Sequence, residues 1–219
     1  MRSLIHAPLA VLLLACGVQA QSQSLDTGLA DVQSGWAKAN YESQSGDAKV
    51  AAFEALSKRA DALVKAYPGR AEPLIWQGIV LSTYAGAKGG LGALGLAKQS
   101  RAALEAAMKI DPDALQGSAY TSLGTLYYKV PGFPLGFGDK KKARQYLERA
   151  LALNPDGIDP NYFYGELLFE QDDYAQALDH LQKALRAPDR AGRELADQGR
   201  RSEIRDLMAK IQTKLARAG

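Results

Sequence analysis

Groups able to do bond-making chemistry are scarce in this chain. Two histidines, His6 and His180, and one cysteine, Cys16, are all the imidazole and thiol that 219 residues supply. Neither a thiolate or imidazole metal cage nor an internal disulfide can be assembled from them. Glu166, Glu170, Asp172 and Asp173 lie close in sequence, yet their spacing fits solvated turn and helix-face groups and calls for no acid–base pair. No G-x-S-x-G elbow occurs, and His180 sits on a helical stretch with no partner of its kind nearby. The glycine-rich stretch Tyr84 to Leu96 does not read G-x-x-x-x-G-K-[ST] and follows no strand, so it is no phosphate cradle. The reading is a non-enzyme with no cofactor.

What remains is binding chemistry. In the glycine-rich stretch, Leu91, Leu94 and Leu96 line either an apolar groove or an ordinary helix contact, and Tyr84 at its start is a further binding candidate. Phe133 and Phe137 stand among prolines and glycines, either as an exposed contact patch or as a lid folded over the core. Tyr120, Tyr127, Tyr128, Tyr162 and Tyr164 either fill helix interfaces or, along a concave surface, offer rings and hydroxyls to a peptide or an amphipathic small molecule.

The elements that must position these groups are helices in repeated pairs. Tyr120-x-x-Leu123-Gly124-x-x-Tyr127, then Ala143-x-x-x-Leu147-x-x-Ala150, then Asn154-Pro155 follow the tetratricopeptide pattern. There a glycine lets two helices approach and a proline ends the second. Asn161-x-x-Tyr164-Gly165-x-x-Leu168, Ala177-x-x-x-Leu181 and Pro188 form the next copy. Leu74-x-x-Gln77-Gly78-x-x-Leu81, Ser100-x-x-x-Leu104-x-x-Ala107 and Asp111-Pro112 form an earlier one. The interval from Gly165 to Ala177 suits a tight turn, whereas those from Gly78 to Ser100 and from Gly124 to Ala143 carry about ten and seven extra residues, expected to emerge as loops on one face. Asp139 is placed to cap the helix Lys140 to Leu153. A degenerate first pair ends at Pro68-Gly69, and Arg193 to Arg217 reads as an amphipathic cap over the last unit.

The expected fold is therefore all-α: a right-handed, tetratricopeptide-like solenoid of helical pairs with two loop insertions and a C-terminal capping helix. Residues 21–219 form one helical repeat domain, with units near 25–68, 71–112, 117–155 and 158–188 and the cap at 193–217. Strand-forming alternation is missing.

Composition agrees with a folded domain: 47% of residues are hydrophobic and 23% charged. A net charge of +3 is too small for a nucleic-acid footprint. The basic residues after Arg186 alternate with acids, and Asp197/Arg201 and Asp206/Lys210 have the four-residue spacing of solvated ion pairs. At the other end, Met1 to Ala20 has a charged start, a short apolar run and small residues at its close, the pattern of an export signal cleaved after Ala20. Leu13-Leu14-Ala15-Cys16 also resembles a lipoprotein box, with cleavage before Cys16 and a lipid anchor on its sulfur. Either route leaves a folded part without cysteine, in keeping with an oxidising periplasm. The location read from this is the periplasm, soluble or lipid-anchored to the outer membrane.

Tyr128-Lys129-Val130-Pro131-Gly132-Phe133-Pro134-Leu135-Gly136-Phe137-Gly138-Asp139-Lys140, running into an alanine–leucine repeat helix, resembles a signature of the T component of tripartite ATP-independent periplasmic (TRAP) transporters. The likeness in layout extends over roughly Asp47 to Leu215. Its distinctive part is Gly86 through Asp139 and the turn Asn161-Tyr162-Phe163-Tyr164-Gly165. The resemblance implies an exported helical adaptor that partners a periplasmic solute-binding protein, with a homo-oligomer and a small apolar ligand within its scope. A similar proline–glycine insertion occurs in eukaryotic microtubule-associated tetratricopeptide proteins, and another envelope protein is the alternative partner.

Overall fold

The computed structural model describes the backbone of residues 9–43 and 46–218, and the side chains of these except 9–24, 91 and 218. The export-signal and Cys16 lipidation readings fall outside the described residues or side chains, as does the Leu91 side chain. Among the described residues, nine helices follow one another and no strand forms. These are α1 (Leu9–Tyr41), α2 (Asp47–Ala66), α3 (Ala71–Lys88), α4 (Gly90–Ile110), α5 (Ala114–Lys129), α6 (Lys140–Leu153), α7 (Ile158–Phe169), α8 (Tyr174–Leu185) and α9 (Glu194–Ala218). None of them is long and apolar enough to cross a membrane. The arrangement is the expected tetratricopeptide-like stack of helical pairs.

Each pair closes over a glycine. A Cβ at Gly78 would stand 2.5 Å from Leu104 Cγ, and one at Gly124 would stand 2.5 Å from Leu147 Cγ. At Gly165 the neighbours are Leu181 Cγ at 3.1 Å and the Ala177 carbonyl at 3.2 Å. Leu104, Leu147 and Leu181 are fully buried. The absent side chain is what lets the leucine of the second helix seat against the backbone of the first, and each such leucine contributes about 1.5 to 3 kcal/mol by leaving water. In the α3/α4 pair the Ser100 hydroxyl donates to the Gly78 carbonyl at 2.7 Å, which ties the same seam with a buried hydrogen bond. The degenerate first pair uses the same device, with Gly28 facing Leu63 and Gly35 facing Leu56.

The two insertions are accommodated differently. Extra residues of the first are taken up as helix: α3 runs to Lys88 and α4 starts at Gly90, with Gly89 alone between them. The sharp reversal uses φ near +60° at both Gly89 and Gly90, which only glycine adopts freely. The second insertion is a loop between α5 and α6 that folds on itself. Gly138 N–H donates to the Pro131 carbonyl at 2.9 Å, and Asp139 N–H to the Tyr127 carbonyl at 2.7 Å. Asp139 then caps α6 as expected, accepting from the backbone N–H groups of Lys141 and Lys142.

Helix α9 is more than a lid on the last pair. It packs on α8 and α7, and also reaches α1. The Tyr41 ring lies where a Cβ on Gly199 would fall, and its hydroxyl donates to Glu203 at 3.3 Å. Burial, partly offset by Arg200, pushes the Tyr41 hydroxyl up to about 12. The last helix thus touches the first, and the array bends into a short arc closed on one side. Among its apolar residues, Ile204, Leu207 and Ile211 are buried, whereas Leu215 is exposed.

Gly124→Ala is expected to destabilise the fold by about 1 to 3 kcal/mol, because Leu147 and the Ala143 carbonyl must give way. Gly86→Ala, on an exposed helical face with nothing within 4 Å of the new methyl, should stabilise it by about 0.5 to 1 kcal/mol. Urea unfolding followed by circular dichroism reads both; equal effects would remove the seam from the account.

Candidate functional site

Odd-numbered helices α1, α3, α5 and α7 lie side by side and form the inner wall of the arc. Against that wall, under the chain that leads into α9, is an open cavity of about 490 Å³. Its floor comes from α5. Ser118, Thr121, Ser122 and Thr125 are spaced at 3.6-residue periodicity and line the cavity, while Ala119, Leu123 and Leu126 on the opposite face are buried. Near its start α5 is interrupted by three left-handed residues, Leu115, Gln116 and Gly117, the first two of which form part of the rim.

One side of the cavity is aromatic. Trp36 and Trp76 meet edge to face with ring centres 6.3 Å apart, and Trp36 Nε1 donates to Thr83 Oγ1 at 3.0 Å. Trp76 is buried, and its Nε1 has no hydrogen-bond partner. Phe163 and three arginines, Arg190, Arg193 and Arg200, also line the cavity, with the Arg193 guanidinium over the Trp76 ring.

Two of these arginines, Arg190 and Arg200, are organised by Asp159. It accepts from Arg190 Nη1 at 2.7 Å and from Arg200 Nε at 2.9 Å. Arg190 also donates from Nε to Asp197 at 2.8 Å, and Arg200 from Nη1 to Glu203 at 2.5 Å. Arg200 lies over the rings of Tyr162 and Phe163, 4.5 and 4.6 Å from their centres. Burial alone would push the Asp159 carboxyl up, but Arg200 and Arg190 outweigh it and hold it far below the usual carboxylate range. The Arg200 guanidinium is held well above its ordinary value by Asp159 and its other neighbours despite burial.

This network corrects the expected solvated face. Asp197 is 2% exposed and pairs with Arg190, not with Arg201, which instead reaches Asp189 at 2.8 Å. The reason is the turn before α9, which folds Arg190 back over the start of that helix, where its backbone N–H also donates to Asp197. His180 is half-buried, 3.1 Å from Asn161 Oδ1, with its ring against Tyr164. Burial lowers its pKa.

Of the ten residues singled out for binding, none of the nine whose side chains are described lines the larger cavity. Tyr84 is buried beside α1 and α2, and Leu94 is half-buried on α4. Tyr120 and Tyr127 do come together, with Tyr146, Gln145 and Lys142, around a smaller depression of about 290 Å³. Tyr127 stacks on Tyr146 at 5.5 Å and is met edge-on by Phe137, whose other face carries Arg101 at 4.3 Å. Tyr128, Tyr162 and Tyr164 are core residues with anchored hydroxyls or rings. Tyr128 donates to Glu166 at 2.5 Å, and Tyr164 accepts from Arg144 at 2.9 Å. Phe133 and Phe137 therefore part company. Phe137 folds back, while Phe133 is 93% exposed beside Leu135 at 74% on a loop held rigid by its own hydrogen bonds. The cavity-lining hydroxyls left a signal in the sequence, the period of Ser118, Thr121, Ser122 and Thr125. The arginines left none that local spacing reveals.

Residues 135–211 match the family model described as tetratricopeptide repeat. No curated protein matches the chain. Among solved structures, a thermophilic tetratricopeptide-repeat protein of Thermus thermophilus is similar at 18% identity and TM-score 0.53, with 82% of this chain and 98% of that one covered. MamA aligns at 21% identity and TM-score 0.43, covering 77% of this chain and 91% of its own. MamA from Desulfovibrio magneticus, residue 41 to its end, aligns at 18% and 0.44, covering 76% and 85%. The Thermus likeness is one of fold.

Asp159→Asn leaves Arg200 and Arg190 without their shared counter-charge and is expected to cost about 2 to 4 kcal/mol at pH 7, the lower end reflecting the exposure Asp159 retains. Because the folded pKa lies below the unfolded value near 3.9, this stabilisation is complete above about pH 5 and is lost as pH falls through 4 and below. The gap between the two proteins in urea unfolding should therefore shrink by about 1 kcal/mol between pH 7 and pH 3. An unchanged gap would show that Asp159 does not hold the arginines by charge.

Proposed function

We propose that this chain is an exported, non-enzymatic adaptor that receives a segment of a partner protein in the cavity on the inner face of its arc. The observation that carries the reading is the hydroxyl stripe of α5 lining one cavity together with Trp36 and Trp76. Hydroxyls that donate and accept, beside two rigid aromatic rings, suit a backbone-bearing segment with an apolar side chain. The match of residues 135–211 to the tetratricopeptide repeat supports a protein-binding role. Asp159, the carboxylate at the centre of the arginine network, is committed to Arg190 and Arg200, which favours a binding role for this wall over acid–base chemistry.

Following the resemblance of the Tyr128-to-Lys140 segment, the partner is a solute-binding protein of a TRAP-type transporter, met in the periplasm by a soluble or lipid-anchored chain. The rigid loop that presents Phe133 and Leu135 supplies a second, apolar contact. A general envelope scaffold that binds another envelope protein through the same cavity is the alternative.

Ser122→Trp, which fills the cavity floor, is expected to reduce capture of a purified TRAP solute-binding protein at least tenfold while helix content stays unchanged. Phe133→Ser should weaken capture by a smaller factor and leave the melting temperature within the range of a surface change, about 0.5 kcal/mol. Undiminished capture by Ser122→Trp would remove the cavity from the interface. Capture of cell-wall or assembly factors in place of the solute-binding protein would favour the envelope scaffold.

A further inference from the structure

Three arginines face the cavity and two are fully committed. Arg190 is shared between Asp159 and Asp197, and Arg200 between Asp159 and Glu203. Arg193 differs: among the described residues no carboxylate lies within ion-pair reach of it, and its Nε is sealed from solvent with no acceptor. Its guanidinium lies 4.9 Å from the centre of the Trp76 ring, and Trp76 Nε1 is also sealed without an acceptor. Two unanswered donors on adjacent groups make this wall short of acceptors, and an orphaned buried donor is the kind of cost a fold rarely keeps without cause. Burial, then the neighbouring Arg190, weakens the hold of Arg193 on its own proton. Arg193 as a residue is only half-buried and lines the cavity.

We propose that Arg193, backed by the face of Trp76, anchors the carboxylate of a ligand in the inner cavity. The inference rests on the cavity being the recognition surface. A guanidinium stacked on an aromatic ring keeps its terminal Nη edge free, and that edge matches a carboxylate in a planar, two-bonded pair. One unpaired cation suits a single negative charge. A phosphate dianion would need a second free cation, and Arg190 and Arg200 are already neutralised. Thr121, Thr125 and Ser82 hydroxyls line the same cavity, and Trp36 and Ile79 add apolar wall, so the ligand has an apolar body behind its acid group. Such an acid comes either as a free small molecule or as the C-terminus of a peptide; the carboxylate chemistry is the same.

Both tryptophans of the chain, Trp36 and Trp76, line the cavity, so intrinsic fluorescence reports on it directly. The full chain is titrated with hexanoate and hexanamide, and with N-acetyl-Ala-Ala-Leu as free acid and as amide. At least one acid should give a saturable change, with its amide at least tenfold weaker. Hexanoate binding alone assigns a small acid, and peptide-acid binding alone assigns a chain terminus. Arg193→Met, which keeps the apolar stem, should lower acid affinity at least tenfold and abolish the acid-over-amide preference, and Arg193→Lys should retain part of it. Absence of saturation by either acid overturns the proposal, as does an Arg193→Met protein that still prefers acid to amide. The acid and amide pairs on the unaltered protein decide the question even where a variant fails to fold. If both acids fail but Ser122→Trp still blocks partner capture, the anchor is wrong and the cavity reading stands.

Discussion

Close approach of two helices across a glycine is the constraint from which the rest of this structure follows. Leu104 over Gly78 and Leu147 over Gly124 sit where a single added carbon would collide. The leucine needs the bare backbone to reach full burial, and full burial is what holds a pair of short helices that would be marginal alone. Because the glycine lies on the first helix of each pair, the first helices are also the ones that stand side by side and make the inner wall. Packing at the seam therefore decides which faces remain for solvent and ligand.

On α5 the consequence can be followed residue by residue. Leu123 and Gly124 turn toward the pair partner, and Ser118, Thr121, Ser122 and Thr125 are left facing the cavity. A helix with a wholly apolar surface there would have collapsed onto its neighbours or recruited another helix. Small hydroxyl side chains keep the space open. The return of α9 to α1 bounds that space on one side, and it places the Asp159 arginine network at the edge of the cavity instead of on a solvated helix face.

Local patterns made the pairing legible before any coordinates. Gly78, Gly124 and Gly165, the Asp139 cap and the stops at Asn154-Pro155 and Pro188 each mark a contact or boundary within one unit, where sequence distance and spatial distance agree. The site was much less legible. Arg200 meets Asp159, and Tyr41 meets Glu203, across gaps of 41 and 162 residues, so no local period announces them. Tyr128 and Tyr164 carry the chemistry of a binding surface, but their rings serve the core and their hydroxyls are tied to Glu166 and Arg144. Phe133 and Phe137 look alike in sequence and diverge because only Phe137 has Tyr127 and Arg101 within reach.

Recognition through the inner wall is the central claim, and hydrogen exchange of the full chain with and without a bound partner tests it most directly. Protection should concentrate in Ser118–Thr125 of α5 and in the segment Arg190–Arg200, with α4, α6 and α8 little changed. Protection confined to those outer helices, with the α5 hydroxyl stripe exchanging as in the free chain, would contradict the account.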